Sequence, residues 1–179
     1  MKKKFKFDFY RMTGEDKMPF FKRAFILVFS PHIRYVKLHR KYEKRKNILT
    51  KFRLYRISKK YGLEISTSAE IGEGIYLGHP YNITVAGGVK IGKNCNLHKG
   101  CTIGRENRGE RIGVPTLGDC VYVGINSTVV GDITVGEDVF IAPGAFVNFN
   151  VPAHSVVVGN PGVIHSRENA TENYIIHRI

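Results

Sequence analysis

Two side chains in this sequence have the types and spacing for acid–base chemistry on a hydroxyl. They are His79, in Gly78-His79-Pro80-Tyr81-Asn82, and Glu64, 15 residues earlier. At neutral pH an unperturbed imidazole is mostly uncharged, so a positioned histidine can take the proton of an attacking hydroxyl as the bond to an acyl carbon forms. Its second nitrogen then needs a carboxylate to hold the tautomer and stabilise the imidazolium. Glu64 is the candidate for that partner. His98, just after Leu97, is a weaker candidate for the same cleft, and His154, in Val151-Pro152-Ala153-His154-Ser155, reads as a turn residue. No two histidines have a metal-ligand spacing, so no metal is expected.

The elements that must position this pair are hexapeptides. Aliphatic residues recur at Ile65, Ile71, Leu77, Val85, Ile91, Leu97, Ile103, Leu117, Val123, Val129, Val135, Ile141 and Val147. The step is six residues except from Leu77 to Val85, where it is eight, and from Ile103 to Leu117, where it is fourteen. So short and sustained a period predicts a mainly β chain wound as a hexapeptide β-helix, in which each rung buries its aliphatic side chain only by stacking on its neighbours. The separation of Glu64 and His79 is close to three rungs, which puts them near one edge of the prism on adjacent coils about 4.8 Å apart. The first break in the period contains His79, and the second extrudes a polar loop, Arg105 to Pro115.

The rest of the chain divides by charge. The 179 residues carry 28 Lys and Arg against 15 Asp and Glu, a net of +13. Residues 1–62 hold 20 of the bases and 4 of the acids, so this arm is +16 and the remainder −3. The domains are therefore a basic, helical N-terminal arm (1–62), a β-helix domain (63–165) and a C-terminal tail (166–179). Like charges lead us to expect a mobile or induced segment over 1–17, followed by two or three helices between Pro19 and Gly62, with Ser30 as an N-cap before Pro31. The arm reads as a solvated helical face packed on the β-helix or a neighbouring subunit, or as a patch attracted to an anionic membrane surface. No nucleic-acid motif accompanies the charge. The longest apolar run, Ala24 to Phe29, is too short to span a bilayer. Cys95, Cys101 and Cys120 read as small buried hydrophobes, which suits a reducing cytoplasm.

Residues 63 to about 165 resemble the hexapeptide-repeat acyltransferases, and within them the serine acetyltransferase-like group that includes capsular and exopolysaccharide O-acetyltransferases. The residues that carry the likeness are Glu64 to His79 with the family's acid-to-His spacing, Thr102-Ile103-Gly104, and the loop with Pro115 in register. Val130 to Gly136, Ile141-Ala142-Pro143-Gly144 and Val151 to Pro161 complete it. The resemblance implies a left-handed parallel β-helix of triangular section and homotrimers with three sites between subunits. It also implies acetyl-CoA as donor, His79 as general base, Glu64 as its partner, and a CoA groove lined near Gly104, Ile125, Pro143 and Asn160.

Two departures bear on the acceptor. Serine acetyltransferases carry an Arg-His pair before the loop proline, where this chain has Gly113 and Val114, and commonly an Asp where this chain has Gly78. Without those partners a free amino acid loses charge-assisted contacts. The expectation is therefore an acetyl-CoA-dependent O-acetyltransferase acting on a sugar hydroxyl of a surface polysaccharide or its precursor, in the cytoplasm or at the inner membrane face. The alternatives are a serine O-acetyltransferase, a catalytically silent trimeric scaffold, and a zinc hydratase of the kind built on this fold.

Overall fold

A computed structural model describes residues 2–179, with the side chains of Lys2 and Lys3 left undescribed. Four helices come first: α1 (Lys2–Thr13), α2 (Phe20–Phe29), α3 (Pro31–Lys44) and α4 (Ile48–Tyr61). Short strands then wind in coils of three. The first coil is β1 (Glu64–Ile65), β2 (Glu70–Ile71) and β3 (Tyr76–Gly78), and the second is β4 (Thr84–Val85), β5 (Lys90–Ile91) and β6 (Asn96–His98). The third is β7 (Thr102–Gly104), β8 (Thr116–Leu117) and β9 (Tyr122–Val123), and the fourth is β10 (Thr128–Val130), β11 (Thr134–Val135) and β12 (Val139–Ile141). A last partial coil has β13 (Phe146–Val147) and β14 (Ser155–Val158), and β15 (Val163–Ser166) folds back beside β14.

Corresponding strands of successive coils pair in parallel to make three sheets, ordered β1-β4-β7-β10-β13, β2-β5-β8-β11 and β3-β6-β9-β12-β14-β15. Among these strands of the described residues, the β14–β15 pairing alone is antiparallel. The chain is thus a mainly β parallel solenoid behind a short helical region. All thirteen aliphatic positions of the repeat are buried. A second inward position, two residues before each, is filled by residues such as Leu63, Ile75, Ile83, Val89, Val121 and Ile133. Cys95 and Cys101 occupy two of these slots, and burial pushes each thiol up to about 12, so both behave as small apolar side chains.

The helical arm differs from the expectation. Residues 2–13 form α1 rather than a mobile segment, because α1 carries two polar anchors into the β-helix. Asp8, fully buried, accepts from Nε and Nη2 of Arg40 at 2.8 and 3.1 Å and from the backbone N–H groups of Gly74 and Ile75 at 2.9 and 3.1 Å. Arg11, also buried, donates to the Gly74 carbonyl at 3.1 Å, to Oδ1 of Asn96 and to the Ile176 carbonyl. The repulsion among the like charges of this segment is small beside a desolvated, fully satisfied pair. Pro31 does open α3, but the Ser30 side chain makes no capping hydrogen bond. Asn47, unmarked in the sequence reading, caps α4 by accepting from the N–H groups of Leu49 and Thr50.

The tail runs back along the outside of the coils. Asp138 receives the N–H groups of Ala170 and Thr171 and the Thr171 hydroxyl. Asn94 exchanges hydrogen bonds with the backbone of Ile179. Tyr174 lies against Tyr122 and Phe140, which stack at 4.6 Å with 15° between their planes.

Candidate functional site

Each coil passes from the third sheet to the first through a corner, and the corners stack. The N–H of Asn82 donates to the Tyr61 carbonyl, Gly100 to Tyr81, Asn126 to Lys99 and Gly144 to Ile125, at 2.8–3.0 Å. These corners call for left-handed backbone, and Gly or Asn usually supplies it: φ is 71° at Gly100, 56° at Asn126 and 72° at Gly144. The first corner is two residues wider and contains two left-handed residues, Asn82 (φ 53°) and His79 (φ 48°). Asn82 takes the place that the other corners give to Gly or Asn, and the longer step adds His79 as a second left-handed residue with its imidazole exposed.

Glu64 opens β1 beside the same edge. The left-handed Gly62 ends α4, its N–H donating to the Ser58 carbonyl, and a Cβ there would fall on Oδ1 of Asn82. The end of α4 is thereby seated against the His79 corner, with Glu64 two residues further on and in register with Thr84 of the next coil. Both Glu64 and His79 are exposed. Among the described residues no side-chain hydrogen bond or ion pair joins them, so the edge is shared but the contact is not made within one chain. A hollow of about 710 Å³ opens beside Glu64, lined also by Tyr55, Ser58, Lys59 and Ser66. Tyr61 and Tyr81 meet edge-on at 5.4 Å next to the His79 turn. Neither the aromatic pair nor Asn82 was evident in the sequence, since neither belongs to the aliphatic period.

His98 lies against this corner. Its ring lies tilted by 35° against Tyr122 at 4.5 Å, and its buried Nε2 has no hydrogen-bond partner among the described residues. Burial first, and neighbouring His79 second, push its pKa down to about 4, so it is uncharged at neutral pH. A Cβ at Gly78 would come within 2.4 Å of the His98 ring. Glycine at 78 is thus the residue that accommodates His98. His154, as expected, sits in a turn, where Nδ1 is 3.1 Å from Oδ2 of Asp138.

The four residues named for a CoA groove do not form one cluster in a single chain. Ile125, Pro143 and Asn160 follow β9, β12 and β14 and lie in successive layers of the corner stack. Gly104 instead ends β7, four residues beyond the corner glycine Gly100, about 13 Å away at strand rise. It sits at the far rim of the first sheet, because it begins the coil that Ile125 ends. Among the described residues no group of three or more His, Cys, Asp or Glu side chains comes together as a metal site.

The extruded loop is a small hairpin. Glu106 and Gly113 exchange backbone hydrogen bonds at 3.0 and 3.1 Å, and the Glu106 carboxylate caps the N–H groups of Asn107 and Arg108. Arg111 ties the loop to the coils through its carbonyl, which accepts from Asp132, and its guanidinium, which donates to the Asn148 carbonyl. At Gly113 a Cβ would lie 2.7 Å from that of Asp132. Arg105 and Arg108 are exposed and have no side-chain partner among the described residues.

The bacterial transferase hexapeptide (six repeats) family matches residues 115–148. The chain is 35% identical over 106 residues to serine acetyltransferase 2 of Arabidopsis thaliana, covering 59% of this chain and 33% of that one. It is 32% identical over 129 residues to the serine acetyltransferase of Staphylococcus xylosus, covering 70% and 58% respectively. The chain thus spans between a third and somewhat over half the length of these curated relatives. Among solved structures, the Neisseria gonorrhoeae serine acetyltransferase in complex with serine superposes with a TM-score of 0.76 at 25% identity, covering 92% of this chain and 69% of that one. Soybean serine acetyltransferase complexed with serine gives 0.69 at 26% identity, covering 78% and 59%.

Residues 115–148 therefore match the hexapeptide repeat of the bacterial transferases. These relatives overturn the expectation of a sugar acceptor and of the polysaccharide branch. That expectation took Gly78 and Gly113 as lost contacts to an amino acid. The structure gives both a packing reason, the His98 ring at one and the Asp132 side chain at the other, and leaves two guanidiniums free on the same loop.

Proposed function

We propose that this protein is an acetyl-CoA-dependent serine O-acetyltransferase, working as a homotrimer with its sites between subunits. The observation that carries the reading is the placement of His79 and Glu64 on one exposed edge, at the one corner that departs from the six-residue step on that edge. His79 is the general base. It takes the proton of the serine hydroxyl as that oxygen attacks the thioester carbonyl; the C–S bond breaks, and the CoA sulfur leaves as a thiolate that the imidazolium can protonate. Direct transfer needs no covalent enzyme intermediate. Glu64 orients the ring and offsets the charge it gains.

An exposed base and a groove split between two rims are what a site closed by a neighbouring chain would leave on each chain alone. In this reading the Ile125, Pro143 and Asn160 corner of one subunit faces the Gly104 rim of another, and the CoA lies between them. Serine also brings a carboxylate, which calls for a cation where the relatives' pattern has Arg-His. Arg105 and Arg108 are the loop's unpaired guanidiniums and take that part.

The test is CoA release from acetyl-CoA with L-serine, with serine methyl ester and with no acceptor. Release with serine, weaker release with the ester and none without acceptor supports the proposal. Absence of serine-dependent release from a folded trimer overturns it.

A further inference from the structure

None of the ten residues of α2 is buried, yet the helix is strongly apolar. At 100° per residue, Phe21, Phe25, Val28 and Phe29 fall within an arc of about 100° on one side of it. They are 84%, 61%, 60% and 66% exposed. Its opposite side is engaged: Ala24 and Leu27 join Phe5, Phe9 and Met18 around a cavity of about 910 Å³, with Lys37 and Lys41 also in the lining. Arg23 lies over the Phe9 ring at 5.0 Å. So α2 is held by its inner side and presents a stripe of four large apolar side chains to the outside. A contiguous surface of this kind marks an interaction site.

We propose that this face of α2 lies on an anionic lipid bilayer. Charge selects the occupant. The arm has a net charge of +16, and each of its four acids is already taken: Asp8 by Arg40, Glu15 by Lys22, Asp16 by Lys6, and Glu43 by Lys4 and Arg40. No carboxylate of the arm is left to neutralise its other bases. A second copy docked on this face would set +16 against +16, and the β-helix and tail, at −3, hold little charge to offset it. An anionic membrane surface supplies the missing negative charge to the lysines and arginines and an apolar layer to the phenylalanines. Among the described residues no helix is long and apolar enough to cross a membrane. The ten residues of α2, about 15 Å in length, would lie along the interface with their stripe in the headgroup and acyl boundary.

The experiment is sedimentation of the full chain with vesicles of phosphatidylcholine alone and of phosphatidylcholine with one third phosphatidylglycerol, at low and high salt. The expected result is partitioning about tenfold stronger into the anionic vesicles at low salt, falling as salt is raised. A variant carrying Phe21→Ser, Phe25→Ser and Phe29→Ser loses this binding while keeping its melting temperature, since α2 has no buried residue. Three results would overturn the proposal: no preference for anionic vesicles, binding unchanged in the triple variant, or a wild-type particle that binds no vesicle but loses mass when the phenylalanines are replaced. The last would make the stripe a contact between copies. All three can be read even if serine proves not to be the acceptor, because none uses the acceptor.

Discussion

The imidazole of His98 fills the space that a side chain at Gly78 would need, since a Cβ there would lie 2.4 Å from two of its ring atoms. Gly78→Asp should therefore displace His98 from Tyr122, lower stability by about 1–3 kcal/mol as overpacking does, and slow transfer by disturbing the adjacent His79 corner. Adding His98→Gly to Gly78→Asp should recover part of both losses. Thermal melts and CoA-release rates over the four-member cycle measure this coupling, and simple additivity would mean the two positions are independent.

At the neighbouring position the backbone decides which substitution is informative. His79 has φ 48°, so alanine would strain the corner, whereas asparagine, which fills the corner at Asn126, keeps the fold. His79→Asn should reduce the transfer rate by about 10²–10⁴-fold with little change in melting temperature. Glu64→Gln should cost less than that. A His79→Asn enzyme with near wild-type turnover would remove the imidazole from the mechanism.

The loop makes a separate prediction about binding. If Arg105 and Arg108 meet the acceptor's carboxylate, replacing both by Gln should raise KM for serine more than it lowers kcat. The same change should leave KM for serine methyl ester nearly unaltered. Equal losses for acid and ester would assign the two guanidiniums another role.

Asp8 and Arg40 form a desolvated pair, with side chains 0% and 2% exposed. Asp8→Ala leaves the guanidinium without its buried carboxylate, with only the half-exposed Glu43 beside it, and frees the N–H groups of Gly74 and Ile75, so it should destabilise the protein by about 3–5 kcal/mol. Replacing both partners by leucine and methionine should cost markedly less. Denaturant melts of the single and double variants distinguish the two outcomes.

The tail should hold best between two titrations. Burial opposes ionisation of Asp138, but hydrogen bonds from Thr171, His154 and Ala170 outweigh it and hold the carboxyl below its usual range. Its contribution is present above the unfolded carboxylate value, near pH 4, and is lost as pH falls through the lower folded value. The hydrogen bond to Asp138, with the charge of Glu168, raises the pKa of His154. That contribution is complete below the unfolded histidine value, about 6.5, and is lost as pH rises through the raised folded value; it is small, because the ring is well exposed. The protection of the Thr171 amide against hydrogen exchange, with the intrinsic pH dependence of exchange divided out, should fall strongly in acid and only slightly toward alkaline pH. Asp138→Asn should abolish the acid dependence.

What was legible in the sequence was whatever repeats. The thirteen aliphatic positions from Ile65 to Val147 are buried because inward placement every six residues is the same event in each coil. The corner with His79 was legible as a defect in that rhythm. Contacts between unlike segments were not. Asp8 and Arg40 are 32 residues apart and Arg11 and Asn96 are 85, and no local pattern announces either pair. The acceptor was misjudged for the same reason. Gly78 and Gly113 read as missing functional groups, whereas what fixes them is the His98 ring on the next coil and the Asp132 side chain on the coil after the loop.

The guanidinium of Arg11 reaches the carbonyl of Ile176, 165 residues further along the chain. During synthesis the first helix must therefore wait, with a partly unpaired cation, until the coils have stacked and the strap from Asn169 onward has closed over them. Coil-by-coil winding can begin early, but the seat of α1 is finished only by the segment that emerges late. A chain cut before Tyr174 would keep its wound solenoid but moor α1 loosely, and that helix should then be its most readily clipped part.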